Sequence, residues 1–563
     1  MGADTVRSLQ AAIGAPAVVA EILARRGYDE PAAAKRFFRP RLDALSDPWA
    51  LPDMGAAVER IRRARSRGET LLVHGDYDAD GVCAAALLVL ALRSLDIAAE
   101  PFIPHRLEDG YDLGPAGLLE AQRLDAKVIL TCDCGTTAVE SVAQARAAGI
   151  DVIVTDHHVV GETLPAAAAV VNPMRAETPG EPLCGTGVAY KLLEALFEAE
   201  GRPRTALYKF LDLVAIATVA DQVPLLNENR AFVRFGLRLL RETRNPGLRA
   251  LLKVVGLYGR GLSARHAAFV FGPRLNAAGR MGSATRGVSL LLARNESEAW
   301  PLAETLEREN RARQEVDRRT FGEALELLAR DYDPDRDYGL VLAREGWHPG
   351  VVGIVASRIV QEVFRPTVLI ALSGGHGRGS GRSIPGFHLY DALRACAGHL
   401  DRFGGHRSAA GLEIRAEDVD AFRAAFQREA RARLADDDLR PVLAIDAVLR
   451  PSEAAADVWR FVRSMAPFGL GNEAPLFLAR DTIVAGPVET VGAAHLRLRL
   501  ADGPGDPSLP AIGFGVAEDW SWVRPGARVD AVYRLQDRRR TRADAKETAE
   551  AEAVLLDLRA AGT

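Results

Sequence analysis

His74-Gly-Asp-Tyr-Asp-Ala-Asp-Gly81, Thr131-Cys-Asp-Cys-Gly-Thr136 and Thr155-Asp-His-His158 each follow a short apolar run, at 71–73, 128–130 and 152–154. Such runs read as parallel strands buried on both faces, and open α/β sheets gather their ligands beyond the strand carboxyl ends. The three polar segments are therefore expected to converge on one cleft. Their carboxylates and imidazoles form the oxygen-rich donor set that hard divalent cations take.

Counted from Asp76, Asp78 falls third, Asp80 fifth and Gly81 sixth, as in an EF-hand loop. Leu87 stands where that loop needs a glutamate, and a strand rather than a helix precedes it. Metal binding of another kind is the reading, with solvated turn acids as the alternative. Gly81 opens a helix whose N-terminus would favour an anion. If Asp133 points into the cleft, strand alternation turns Cys132 and Cys134 away, as small packing residues rather than ligands. Of His157 and His158, one is placed to ligate a metal and the other to meet a phosphate or the reacting water. Asp221 ends the apolar helical run 211–220 and, alone, reads as an ordinary helix C-terminal residue.

A chain of 563 residues divides into several domains, and 48% hydrophobic residues make them globular. Five cysteines form neither a disulfide framework nor a paired zinc spacing, which favours a reducing cytosol. No basic start leads into an apolar run and no stretch of about 20 apolar residues occurs, so neither secretion nor membrane insertion is expected. The net charge of -4 conceals a segregation: residues 231–286 hold eleven Arg or Lys against the single acid Glu242. That segment either holds a polyanion or is a solvated surface balancing acids elsewhere.

The division expected along the chain starts with a helical segment at 1–55 and an alternating βαβ region at 56–235. A basic helical and bridging region, 236–334, contains a long charged helix at 301–330 with Leu302, Leu306, Phe321, Ala324, Leu325 and Leu328 on its apolar face. A second α/β unit occupies 335–430, where the glycine-rich 374–381 is either a flexible turn or part of an arginine-bearing wall. Residues 431–563 carry short apolar segments between Gly and Pro turns, the pattern of a small β-barrel.

Segment 74–81, Asp133-Cys-Gly-Thr-Thr137, Asp156-His-His158, Gly272-Pro-Arg-Leu-Asn-Ala-Ala-Gly-Arg280, Trp347-His-Pro-Gly-Val-Val-Gly-Ile-Val-Ala-Ser-Arg358 and Gly404-Gly-His-Arg-Ser-Ala-Ala-Gly411 together resemble the DHH phosphoesterase superfamily and, within it, its bacterial single-strand-specific exonucleases. The strings span most of the chain, and Ala466-Pro-Phe-Gly-Leu-Gly-Asn472 extends the resemblance into the final segment. It implies a multidomain α/β fold in which a DHH phosphoesterase core and a DHHA1 domain are joined by a long helix and followed by an oligonucleotide-binding β-barrel.

The resemblance further implies two divalent metal ions, Mn or Mg, bridged by Asp133. His74 and Asp78 complete one ligand set and Asp80, His157 and Asp221 the other, while Asp76 and His158 fall beside the metals or the reacting phosphate. Substrate contacts are expected from Arg274, Arg280, His348, Arg378, Ser380, Arg382 and His406, a structural ion pair being the alternative for Arg274 and Arg280. Phe468, Phe477 and Phe514 face bases or lie in the core, and Arg538 to Arg540 with Arg542 extend a basic path or solvate the edge. The implied activity is a metal-dependent 5′-to-3′ exonuclease of single-stranded DNA, releasing 5′-mononucleotides in recombination and repair. The alternatives are a small-oligonucleotide phosphodiesterase of the same superfamily and a weakly active binding scaffold. A cytoplasmic monomer working with a single-strand-binding protein or a helicase, without a membrane, is the expected setting.

Overall fold

The computed structural model describes residues 2–562 except 107–108, 111, 176–181, 282–283, 455, 493 and 539–549, and gives the backbone alone at 278, 280, 281 and 456. Its first sheet is wholly parallel: β1 (Leu71–Gly75), β2 (Ala99–Phe102), β3 (Val128–Cys132), β4 (Asp151–Thr155) and β5 (Ala169–Val171), in the order β2-β1-β3-β4-β5. From β1 the chain goes out to β2 and then returns to the other side of β1 with β3. Such a reversal of strand order opens a crevice at the carboxyl ends. Helix Ala79–Arg93 is buried along nearly its whole length, which is why it is apolar all round; it lies against helices Gly185–Ala199 and Leu211–Ala220.

The basic helices are a layer of this same lobe. Leu248, Leu251 and Leu290 share a core with Val82 and Leu211, and the division expected after residue 235 falls inside helix Asn227–Arg241. That helix buries Phe232, Val233, Leu237 and Leu240 together with Arg230 and turns Arg238 and Arg241 outward, so the charge of those two is a surface property of a packed element. The long helix runs from Glu296 to Asp331, 36 residues, or about 54 Å at the standard rise. Ala299, Ala303 and Leu306 belong to the catalytic lobe, whereas Ala324 and Leu328 pack with Trp347 and Val351 of the next domain. Leu325, expected on the apolar face, is 37% exposed.

The second sheet contains β6 (Leu340–Glu345), β7 (Thr367–Ser373), β8 (His376–Arg382), β9 (Arg402–Gly405) and β10 (Ala409–Arg415), in the order β6-β7-β8-β10-β9. Segment 374–381 is not a flexible turn. Gly374 and Gly375, at φ 57° and 84°, make the reversal, and the remainder is the central strand β8. A Cβ at Gly377 or Gly379 would stand 2.7 Å from Ile370 or Leu412, so glycine leaves room for the side chains of the flanking strands β7 and β10. By strand alternation Arg378, Ser380 and Arg382 take the opposite face. Helix Val419–Arg433, with Phe422 and Phe426 in this core, runs across the boundary expected at 430.

The last domain has β11 (Ala447–Val448), β12 (Phe477–Val484), β13 (Glu489–Val491), β14 (His495–Ala501), β15 (Ser508–Gly513), β16 (Arg528–Asp537) and β17 (Ala551–Ala560). Pairings β12–β14, β14–β15, β15–β17, β17–β16 and β16–β12 close a ring in which β15–β17 alone is parallel, the strand arrangement of an oligonucleotide-binding barrel. The N-terminal helices Ala3–Ile13, Ala17–Arg25 and Pro31–Phe38 share this barrel's core, with Leu9, Val19 and Phe37 in one cluster with Phe477 and Tyr533. The segment 1–55 is thus no separate unit. Buried Arg230 joins the parts: it donates to Phe37 O (2.8 Å), Ala466 O (3.0 Å) and Pro467 O (3.4 Å).

Candidate active site

At the carboxyl edge of β1, β3 and β4 the ligating atoms gather in three overlapping trios: Asp76–Asp78–Asp133, Asp80–His157–Asp221 and Asp133–His157–His158. Within each, the atoms lie within 4.8 Å of one another. Asp133 joins two of them. It follows β3 at φ 63°, a left-handed conformation that costs an aspartate roughly 1–3 kcal/mol and clusters at functional sites. A Cβ at Gly185 would come 2.6 Å from Asp133 Oδ1, so the N-terminus of helix Gly185–Ala199 closes directly over the carboxylate. Because Asp133 leaves the strand conformation, alternation no longer governs its neighbours. Cys132 and Cys134 are both buried, but Cys134 Sγ lies 3.7 Å from His74 Nδ1 and packs against the site rather than away from it.

Asp78 caps helix Ala79–Arg93, accepting from Asp80 N (2.8 Å) and Gly81 N (3.2 Å), and Asn276 accepts from Ala79 N at 2.6 Å. These donors are taken by the protein, so the helix N-terminus expected to attract an anion instead fixes the acidic loop. Asp80 is held in the same way by Gly185 N (2.6 Å) and Thr186 N (2.8 Å), at the start of another helix. Asp156 is an orienting residue: it accepts from Thr136 N (3.0 Å), His157 N (2.7 Å) and His158 Nδ1 (2.7 Å). Burial opposes the charge of both partners, yet their hydrogen bond and mutual attraction outweigh it, holding Asp156 down at about 2 and lifting His158 to about 9.

The remaining groups are poised for cations. Burial, followed by repulsion from Asp80 and Asp78, pushes Asp221 up to about 8 and Asp133 well above the carboxylate range; Asp76 is raised by burial and then by Asp78. Burial lowers His74 to about 4 and lowers His157 too, so both imidazoles are neutral and able to ligate. Asp133 Oδ1, Asp76 Oδ1, His157 Nε2 and His74 Nε2 are buried without hydrogen-bond partners, although His157 Nε2 stands 3.0 Å from Asp133 Oδ1. Unpaired buried donors of this kind, with like charges crowded together, fit divalent metal ions. His74 stands in none of the trios, where Asp76 takes the place expected for it; helix Pro115–Arg123 backs onto its ring at Gly117.

Across the cleft, Arg382 donates to Ser380 Oγ (3.0 Å), and both lie against Gly353 at the start of helix Val352–Val363. His348, beside that helix, accepts from Gly350 N at 3.0 Å. Arg378 is exposed, 3.5 Å from Glu413, and His406 is exposed after β9. Arg274 takes the ion-pair alternative: its guanidinium binds Glu307 at 2.7 Å and Val270 O at 2.8 Å, which commits it within the protein. Arg280 lies in helix Gly272–Met281, and its side chain is outside the described residues, as are Arg539, Arg540 and Arg542. Phe477 is core at 0% exposure, Phe514 is 52% exposed beside His495, and Phe468 packs partly buried against the barrel.

Arg106 is absent from the residues expected of the site. It lies over the Tyr77 ring at 4.9 Å, and its charge acts on both Asp76 and Arg382, which places it between the metal trios and the opposite wall. The signal was available: β2 pairs in parallel with β1, His74 opposite Phe102, so the loop after Phe102 emerges at the same edge.

Residues 70–218 match the DHH family N-terminal domain, 337–432 the DHHA1 domain and 445–542 the RecJ OB domain. The single-stranded-DNA-specific exonuclease RecJ of Bacillus subtilis is 33% identical over 99% of this chain and 71% of its own length, and that of Escherichia coli is 36% identical over 92% of each. The crystal structure of Thermus thermophilus RecJ with Mn²⁺ superposes with a TM-score of 0.85 at 31% identity, covering 100% of this chain and 79% of that one. Three domain types in order, likeness over 92–100% of this chain and a carboxylate–imidazole cleft at the sheet's switch point make this chain a member of the RecJ family of single-stranded-DNA-specific exonucleases.

Proposed function

We propose that this chain hydrolyses single-stranded DNA from its 5′ end, releasing 5′-mononucleotides, with divalent Mn or Mg held by the acidic and imidazole groups gathered around Asp133. The observation that carries the reading is that shared carboxylate, buried, unpartnered at Oδ1 and surrounded by like charge. Asp76, Asp78 and Asp133, with His74 behind them, would hold one ion, and Asp80, His157 and Asp221 the other, with His157 3.0 Å from Asp133 Oδ1. When bound, such ions supply positive charge to the phosphoryl oxygens and lower the pKa of the attacking water.

The protein's own groups do the positioning. Asp156 holds His158 by Nδ1, which sets the ring beside the metal ligands, where it can meet the reacting phosphate or the departing 3′ oxygen. Water attacks phosphorus, the P–O3′ bond breaks, and the proton passes to the leaving oxygen. Arg382, Ser380 and Arg106 hold the strand's phosphates across the cleft, where a guanidinium fork matches phosphate oxygens. The barrel argues for a strand over a small phosphorylated metabolite. A monomer fed by a helicase or a single-strand-binding protein suits such a cleft.

Oligonucleotides labelled at each end, with one end blocked in turn, test this with and without Mn²⁺. Metal-dependent release from a free 5′ end on single strands is expected. Preferential digestion from the 3′ end, or efficient digestion of a blunt duplex, would overturn it.

A further inference from the structure

The basic residues of 231–286 divide by what they face. Arg249 and Lys253 reach Glu296, Arg274 reaches Glu307 and Arg286 reaches Glu309, all on the long helix. These balance acids, as an ordinary charged surface does. Arg234, Arg238 and Arg241 follow one another at successive turns of helix Asn227–Arg241 and line a cavity of about 400 Å³ together with Arg265 and Phe468. The cavity is the seam between the catalytic lobe and the segment leading into the barrel. Among the described residues, none of these four arginines has a carboxylate within ion-pair distance, nor has Arg534 of β16, which feels the charge of Arg265.

Beside the seam, Phe269 is 71% exposed, with the Arg265 guanidinium 5.8 Å from its ring centroid. It sits on a π-helical turn, Ala267–Phe271, that points Phe271 wholly into the core and leaves Phe269 outside. Turns of this kind are rare and concentrate at functional sites. The helix that continues from it carries Asn276, which holds the acidic loop at Ala79 N, so the aromatic ring stands roughly 10 Å along the helix rise from a residue touching the metal site.

We propose that this seam is a second strand-binding subsite, in which Phe269 stacks a base and Arg238, Arg241 and Arg265 hold phosphates of nucleotides that lie outside the metal site; the assignment rests on the nuclease reading above. Guanidinium groups without a carboxylate partner in a partly enclosed seam repel one another, even with Arg234 donating to Phe38 O at 3.0 Å, and a phosphodiester backbone relieves that repulsion with charge-assisted hydrogen bonds. An exposed ring next to the cations suits a nucleotide, since every base offers a face to stack, whereas a free phosphate uses only the arginines. Burial and the neighbouring cations lower the proton affinity of Arg234 and Arg534, in keeping with a pocket short of anions.

The test is Mn²⁺-dependent digestion of a ladder of single strands from a dinucleotide to about 16 nucleotides, by the wild type, Phe269→Ala, Phe269→Trp and an Arg238→Gln, Arg241→Gln, Arg265→Gln triple variant. All four positions are exposed, which spares the fold. Phe269→Ala should raise KM for the longest strand at least about fivefold, the lower end of the stacking range, and Phe269→Trp should restore it. The triple variant should lose about 2 from the slope of log affinity against log salt, at roughly 0.7 per phosphate. Dinucleotide turnover should stay within about twofold of wild type in every variant, because it occupies the metal site alone. Equal effects on dinucleotide and long strand, or no effect on either, would overturn the subsite. So would inorganic phosphate altering dinucleotide turnover in the wild type but not in the triple variant, which would assign the pocket to a free anion. If the wild type cleaves neither substrate, the nuclease reading has failed; metal-free anisotropy titration of the longest strand then decides the subsite, which stands if the variants bind at least about fivefold more weakly and falls if they bind like wild type.

Discussion

Asp133 is where backbone strain and charge repulsion meet. Its left-handed φ of 63° aims the carboxylate at both trios. Asp133→Ala should therefore lower cleavage by more than about 100-fold, exceeding the loss typical of an outer partner, and should weaken metal binding in calorimetry. Asp156→Asn removes such an outer partner, the group that fixes both histidines, and a fall of about 10–100-fold in metal affinity or turnover is expected. Wild-type metal affinity and rate in folded Asp156→Asn protein would show that His157 and His158 orient themselves. The acidic and imidazole residues that follow β1, β3 and β4 were legible in the sequence because strand ends announce a site, whereas Asp221, which ends a helix, entered only through the family resemblance. The turn of Cys134 toward His74 was not, since alternation along a strand cannot anticipate a left-handed residue that ends it.

Among the elements, strands and the long helix follow from local pattern, but their ends and partners depend on contacts made far away in sequence. Arg274 and Asp212 illustrate this. Nothing within a few residues of Arg274 reveals that Glu307 will face it; that pairing exists only once the long helix is laid against helix Gly272–Met281. Asp212 lies in the first turn of helix Leu211–Ala220, fully inside the core, accepting from Thr243 Oγ1 at 2.6 Å. Burial raises it to about 6, above about 3.9 for an unfolded chain. The folded state thus holds the proton more tightly, so ionised Asp212 costs stability above pH 6, and the cost fades as pH falls through 6 toward 4. Asp212→Asn keeps the acceptor and should add on the order of 2–3 kcal/mol at pH 8, with no gain at pH 4, in urea unfolding at both values. A difference independent of pH would show that the carboxylate is ionised there without cost.

In the whole molecule the two ends of the chain meet, since the N-terminal helices complete the barrel core and Arg230 ties both to the catalytic lobe. Sequence pattern marks those helices as amphipathic but cannot say which distant apolar face they cover. Arg230→Met should cost about 2–4 kcal/mol through the carbonyls left without a donor, and limited proteolysis should then release the barrel from the lobe; an unchanged digestion pattern would mean that apolar packing alone holds the seam. The cleft itself depends on all of these parts, and its most direct test combines metal titration with single-turnover cleavage of a 5′-labelled single strand by wild-type and Asp133→Ala protein. Wild type should bind two Mn²⁺ per chain and release labelled mononucleotide, while a folded Asp133→Ala variant should lose metal and cleavage together. Unchanged metal stoichiometry and cleavage in the folded variant would contradict a site built on that shared carboxylate.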